Sequence, residues 1–362
     1  MTAKPDHIFD REWEWQSLIS FAQETGLGGL GIVSGRRRQG KTFLVEALAR
    51  QTGGLYFGAT QATEYESLYL FGQALAEHLR LPVPPHLTGW DDAIRYLFSF
   101  MSSMTGPVVI DEFPYLSKAS PVLPSILQRE IDRKVPHGPP GTLLLCGSAM
   151  SVMGGLLAGS APLRGRAGLE LIVRPFEYPT AARFWQVTNP RLAVMLHAVV
   201  GGTPAYRRFV DGDAPENMRD FDRWVLRTVL SPASPLFREA RYLLEEETDV
   251  RDTALYHSVL AAVANGNNTR GGIANYIGRK AADIGHHINV LEDACLLRRE
   301  PDVFRSGRST YRIAEPLIQF YQAIMRPSWG LLESGRGSTV WPDIKARFLG
   351  QVLGPHFEQL CR

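Results

Sequence analysis

Gly35-Arg36-Arg37-Arg38-Gln39-Gly40-Lys41-Thr42 lies between an apolar hexapeptide, 29–34, and a stretch in which Phe43, Leu44, Ala47 and Leu48 recur at helical spacing. It fits G-x-x-x-x-G-K-[ST] in the context the pattern requires, with a strand before it and a helix after it. Glycines let the backbone wrap phosphate groups, while successive N–H groups and the helix N-terminus face the anion. Lys41 is expected to reach the β- and γ-phosphates, and the Thr42 hydroxyl suits Mg²⁺. Phe43 follows directly and completes the candidate nucleotide contacts at 35–43.

Outward from this loop, short apolar runs alternate with helical stretches. Strands are expected at 29–34, 55–57, 107–110, 142–146 and 169–173, with helices at 42–51, 66–79 and 91–104. Continuous apolar strands joined by helices predict a parallel sheet covered on both faces, the α/β core of a P-loop NTPase. Val108-Val109-Ile110-Asp111-Glu112 supplies the second half of the site. An apolar strand ending in acids puts them at the carboxyl edge of the sheet, where open α/β folds bind ligands. Asp111 is the expected holder of Mg²⁺ through water, and Glu112 the expected polariser of the attacking water.

The whole chain of 362 residues is consistent with more than one domain. With 44% hydrophobic and 21% charged residues it can bury full cores, which excludes disorder for most of it. Thirty-nine basic residues against 37 acidic ones leave +2, so any nucleic-acid face must be local. Cys146, Cys295 and Cys361 are widely spaced and form no CxxC, which argues against a disulfide framework or a structural zinc. No secretory pattern opens the chain and no apolar run reaches membrane-spanning length, so a cytoplasmic protein without a membrane partner is expected.

From 179 helical patterns replace strands. Pro232, Pro235 and Glu245-Glu246-Glu247 suggest a looser junction near 249. A helix at 254–264, a Gly/Asn turn, a short helix at 272–277, a longer one at 281–294, and strands at 296–300 and 310–313 follow. That is the order of a winged helix-turn-helix. Between 251 and 326, ten cationic residues face seven acidic ones, a net +3. Arg279 and Lys280 precede the recognition helix, His286 and Asn289 lie on it with Asp283, and Arg305 and Arg308 occupy the wing tip. These are candidate contacts to double-stranded DNA; packing against protein is the other reading of such a module. Adjacent His286 and His287 point different ways on a helix and make no metal site.

Taken together, these motifs resemble the archaeal-type ATPase family, P-loop proteins of the AAA+/STAND group, over about residues 8–326. Phe9-Asp10-Arg11-Glu12 is similar to the family's Phe-x-x-Arg-Glu, with one residue fewer between Phe and Arg; the resemblance implies that Arg11 lies near the base. Leu145-Cys146-Gly147-Ser148 is similar to the sensor strand, implying that Ser148 contacts the γ-phosphate or water. Pro162-Leu163-Arg164-Gly165-Arg166 resembles a Pro-Leu-x-x-Arg stretch, implying Arg166 as the γ-phosphate arginine, in its own subunit or a neighbour's. Gly201-Gly202-Thr203-Pro204 resembles the motif of a helical lid, implying that Pro204 packs near the base. Gly354-Pro355-His356-Phe357-Glu358 is similar to the start of a restriction-type nuclease region whose later positions are absent, so DNA cleavage by that route is not expected.

The resulting division is an ATPase core at 1–178, a helical lid at 179–250, a winged helix at 251–326 and a tail at 327–362. The leading expectation is a slow Mg²⁺-ATP hydrolase acting as a nucleotide-dependent switch, with Glu112, Lys41, Arg166 and Ser148 as catalytic residues. An ATP-liganded DNA-binding regulator with little hydrolysis is the second. The third is the ATPase component of a defence or toxin-like system whose winged helix contacts protein. A homo-oligomer fits any of them.

Overall fold

Val108 and Ile110 face one side of their strand and Val109 the other, and both sides are buried. Alternation with apolar residues on both faces requires cover above and below the sheet. The computed structural model describes residues 2–23, 29–101, 103–134, 141–247, 253–302 and 309–362. It divides into two compact units, Met1–Arg174 and Pro175–Arg362.

The first unit runs α1 (Glu12–Gln23), β1 (Gly29–Ser34), α2 (Lys41–Thr52), β2 (Leu55–Gly58), α3 (Glu64–Leu79), α4 (Trp90–Met101), β3 (Val108–Asp111), α5 (Phe113–Ala119), α6 (Leu123–Lys134), β4 (Thr142–Gly147), α7 (Met150–Gly155) and β5 (Ala167–Ile172). Its five strands are parallel, in the order β2-β3-β4-β1-β5. One strand, β4, therefore stands between the strand that feeds the phosphate loop and the strand that ends in Asp111. This strand order is that of an α/β P-loop NTPase core.

On one face Leu30, Ile32, Ile110 and Leu145 pack with Phe71 of α3, Ile94 and Leu97 of α4 and Leu127 of α6. On the other, Val33, Val109, Leu144 and Cys146 pack with Trp15 and Leu18 of α1 and Leu44 and Leu48 of α2. α4 shows why such helices form: Asp91 and Asp92 occupy its first turn, and Trp90, Ala93, Ile94, Leu97, Phe98 and Met101 bury one stripe. β3 begins one residue later than the sequence pattern suggests, because Pro107 has no N–H to give to the ladder. It ends with Asp111 in register with Gly58.

The second unit is mostly helical: α8 (Tyr178–Trp185), α9 (Pro190–Val200), α10 (Pro204–Phe209), α11 (Phe221–Arg227), α12 (Pro235–Glu247), α13 (Thr253–Ala264), α14 (Arg270–Ile277) and α15 (Gly285–Asp293), then β6 (Leu297–Pro301) and β7 (Ser309–Ile313) as an antiparallel pair, then α16 (Pro316–Phe320), α17 (Trp329–Glu333), α18 (Gly337–Arg347) and α19 (Gly354–Leu360). One continuous core joins Trp185, Trp224, Phe237, Leu260, Leu291 and Phe320 with Trp341, Phe348 and Val352 from the last 36 residues. Phe221 stacks on Phe348 with ring centroids 5.8 Å apart, so this C-terminal segment is built into the unit. His197 Nδ1 of α9 and His356 Nε2 of α19 lie 2.8 Å apart. Burial pushes them down to about 4 and about 3 respectively. No helix among the described residues is long and apolar enough to cross a membrane.

α15 is shorter than the 281–294 helix expected from periodicity. A helix starting at Ala281 needs that residue's carbonyl to accept from the Gly285 N–H. Instead the Arg270 guanidinium takes the Ala281 carbonyl at 2.8 Å, and the Gly285 N–H turns to Ala282. Residues 281–284 are left as turns, and Asp283 lies in them rather than on the helix.

Candidate functional site

Parallel strands bring their carboxyl ends to one edge, and three of those ends carry the residues singled out by the sequence. β1 ends at Ser34 and enters the loop, β3 ends at Asp111, and β4 ends at Gly147, one residue before Ser148. Backbone sterics shape the loop. A Cβ at Gly35 would sit 2.4 Å from the Val173 carbonyl oxygen, and Gly40, at φ 90° and ψ 16°, opens α2 from the left-handed region. The Lys41 ammonium is buried and donates to the Arg36 carbonyl at 2.9 Å.

The Thr42 hydroxyl donates to Asp111 Oδ2 at 2.8 Å, joining the loop to the acidic strand. Oδ1 of the same carboxylate accepts the Glu112 N–H at 2.9 Å. Because Thr42 gives its proton to Asp111, its oxygen keeps its lone pairs for another partner. A hydroxyl and a carboxylate in contact are a hard-oxygen pair of the kind Mg²⁺ takes, so these residues fit that ion. Glu112 caps α5 at φ 52° and ψ 39°. Its carboxylate accepts from the Ser148 hydroxyl at 3.0 and 3.2 Å.

Other predicted residues sit at varying distances from this cluster. Arg11 is buried and donates to the carbonyls of Gln39, at 3.2 Å, and Arg174, at 2.6 Å, and pairs with Glu14 at 2.7 Å. It braces the loop against the end of the sheet. Arg36 is buried and Arg37 donates to the Tyr115 hydroxyl at 2.8 Å, whereas Phe43 is largely exposed on the first turn of α2. Arg38 takes a left-handed backbone, φ 69°. Pro204 belongs to the second unit and opens α10.

Arg166 does not join the cluster within this chain. It precedes Ala167, which is in register with Leu30 near the start of β1, whereas the phosphate loop follows Ser34 at the other end. About 15 Å of strand separates the two edges. There Arg166 forks onto Asp132 at 2.6 and 2.7 Å and also donates to the carbonyls of Pro162 and Arg164. The fork lowers the Asp132 carboxyl below its ordinary range and raises the guanidinium.

Two residues to which the sequence assigned no role in the site complete the first cluster. The Tyr56 hydroxyl, on β2, donates to Asp111 Oδ2 at 3.1 Å. Burial and the adjacent carboxylate push the phenol far above its ordinary value. Cys146 is fully buried on β4; burial, then Asp111, raises its thiol well above the usual range. The available signal was positional: Tyr56 alternates with Leu55 and Phe57 on the strand beside Asp111, so its polar tip has to find a partner.

In the second unit Arg279, Lys280, His286 and Asn289 are all exposed. His287 instead packs on Tyr256 at 4.9 Å. Arg305 and Arg308 lie outside the described residues.

No protein-family model matches the chain. It is 27% identical over 357 residues to the uncharacterized protein MJECL04 of Methanocaldococcus jannaschii, covering 98% of this chain and 76% of that protein. The Walker-type ATPase PABY2304 of Pyrococcus abyssi superposes with a TM-score of 0.63 at 18% identity, covering 88% of this chain and 97% of its own. The ORC2 protein of Aeropyrum pernix, solved as ADPNP and ADP complexes, gives 0.51 at 13% identity, covering 95% and 97%. With the sheet order and the strand-loop-helix at 29–52, these likenesses establish that the chain has the fold of an archaeal AAA+-type P-loop ATPase.

Proposed function

We propose that the chain binds Mg²⁺-ATP at the carboxyl edge of the first unit, hydrolyses it slowly, and uses the nucleotide state to control its helical lid and winged-helix module. The observation that carries this reading is the Thr42–Asp111 hydrogen bond, with the Glu112–Ser148 pair beside it. Loop N–H groups and Lys41 cradle the phosphates, Thr42 and Asp111 hold Mg²⁺, and Arg11 braces the loop. The ion, when bound, neutralises charge on the phosphates. Glu112 orients the attacking water, and Ser148 holds Glu112 until nucleotide competes for the hydroxyl. The module at 253–313 meets double-stranded DNA with the exposed Arg279, Lys280, His286 and Asn289.

Arg166 then serves a neighbouring subunit's γ-phosphate. Its side chain and that of Asp132 are 26% and 47% exposed, and a surface pair of this kind contributes about 0.2–1 kcal/mol. A phosphate can displace so weak a partner. The position of Arg166 also favours a second reading, an ATP-liganded DNA-binding regulator that hardly turns over unless it assembles.

Phosphate release from Mg²⁺-ATP, measured with and without duplex DNA for the wild type and Glu112→Gln, tests both. Turnover falling at least about 100-fold in the variant with ATP binding retained supports hydrolysis here. ATP binding without phosphate release in the wild type supports the regulator. Absence of ATP binding sinks both.

A further inference from the structure

We propose that Tyr56 is a positioning residue for the Asp111 carboxylate, and that its hydroxyl sets how tightly the chain takes up Mg²⁺ with nucleotide. The inference rests on the Mg²⁺-ATP reading above and extends it to a residue on a strand that carries no motif.

An aspartate carboxylate turns easily about its last side-chain torsion, whose energy wells are broad. Holding its plane requires donors from more than one direction. Besides the buried Cys146 thiol, which lies against it on β4, Asp111 has three oxygen- or nitrogen-borne donors, each from a different segment. The Glu112 N–H fixes Oδ1 at 2.9 Å from within the turn after β3. The Thr42 hydroxyl reaches Oδ2 at 2.8 Å from α2, and the Tyr56 hydroxyl reaches the same oxygen at 3.1 Å from β2. β2 and β3 are paired in register from Leu55 with Val108 to Gly58 with Asp111, so the base of the tyrosine is fixed by the sheet.

The three donors differ in what else they do. The Glu112 N–H is backbone, and Thr42 is itself a proposed ligand of the ion, so altering Thr42 removes ligand and support together. Tyr56 is separable: its hydroxyl touches the carboxylate, while its ring packs against the core beside α1 and α2. Groups that hold a metal ligand in place typically change metal affinity or activity 10–100-fold when removed. An effect of that kind acts on the metal-dependent part of nucleotide binding and leaves the metal-independent part alone.

The test uses the full chain and ATP carrying a fluorescent ribose label, titrated in EDTA and then with Mg²⁺ at fixed nucleotide, for the wild type and Tyr56→Phe. The expected result is a rise of about ten-fold in the Mg²⁺ concentration needed for half-maximal tightening, with affinity in EDTA unchanged. Thermal unfolding of both proteins checks that the variant is folded. An unchanged Mg²⁺ midpoint in Tyr56→Phe overturns the inference and leaves the nucleotide site standing. Equal weakening with and without Mg²⁺ also overturns it, assigning Tyr56 to the strand end rather than to the carboxylate. A wild type whose nucleotide binding ignores Mg²⁺ sinks the underlying reading itself, an outcome visible before any variant is compared.

Discussion

The carboxyl edge of the first unit and the α14–α15 surface of the second are the two candidate sites, and they are built in opposite ways. At the sheet edge, Arg11, Thr42, Asp111, Glu112 and Ser148 touch residues far away in sequence, and Thr42 meets Asp111 across 69 positions. Around α15, Arg279, Lys280, His286 and Asn289 stand exposed on a short helix and the turn before it. A preorganised site loses little entropy when its ligand arrives and is sensitive to each part, whereas exposed cations act as a sum over charges. Chemistry at a fixed phosphate suits the first construction, and adjustable contact with a polyanion suits the second.

Lys41→Ala is the sharpest blow to the first side of that contrast. If the proposed phosphate contact is made, loss of this buried ammonium should weaken ATP binding by about 100-fold or more, close to 3 kcal/mol, in a calorimetric titration. Wild-type affinity in that variant would mean that the loop is an ordinary turn.

A smaller effect concerns the frame of the second unit. His197 and His356 titrate at about 4 and about 3 when folded, because burial disfavours their charged forms, against roughly 6.5 unfolded. Between those values the unfolded chain binds more protons. Stability is therefore complete above about pH 6.5 and declines as pH falls toward 4. Urea unfolding at pH 7.5 and pH 5 should differ by about 2 kcal/mol for each histidine of the pair, and His197→Phe should remove about half of the pair's share. A flat profile would mean that the pair is not buried as described.

The smallest effect belongs to the exposed surface. Replacing Arg279 and Lys280 together by alanine should weaken duplex binding about ten-fold at low salt and lower the salt slope by about two. Thermal stability should stay within about 0.5 kcal/mol of wild type. Unchanged affinity and slope would move the second unit toward a protein partner.

The sequence exposes these regions unevenly, for physical reasons. The phosphate loop and Asp111-Glu112 are legible because each is a local pattern next to an apolar strand that local pairing cannot disguise. All five strands are legible too, to within about two residues. α5 is harder, because it is only seven residues long and has Pro114 near its start, whereas α6 carries a helical stripe, Leu123, Ile126, Leu127 and Ile131, that the sequence does hold. Arg166 stands out in the sequence only through its Pro-Leu-x-x-Arg setting, and its position opposite the loop follows only from the register of β5 on β1. Tyr56 to Asp111, Asp132 to Arg166 and His197 to His356 are contacts across 55, 34 and 159 residues, and no local spacing encodes them. The short α15 turns on one competing donor, Arg270, which periodicity cannot weigh.

Glu112 sits in a backbone conformation that favours glycine, at φ 52°. An L-residue with a side chain pays roughly 1–2 kcal/mol to stay there. Selection for thermal endurance alone would replace it with glycine, yielding a chain that resists unfolding better while lacking its proposed water-orienting group. Directed evolution under heat without an activity screen should find that position early, and its products should be sturdy and idle.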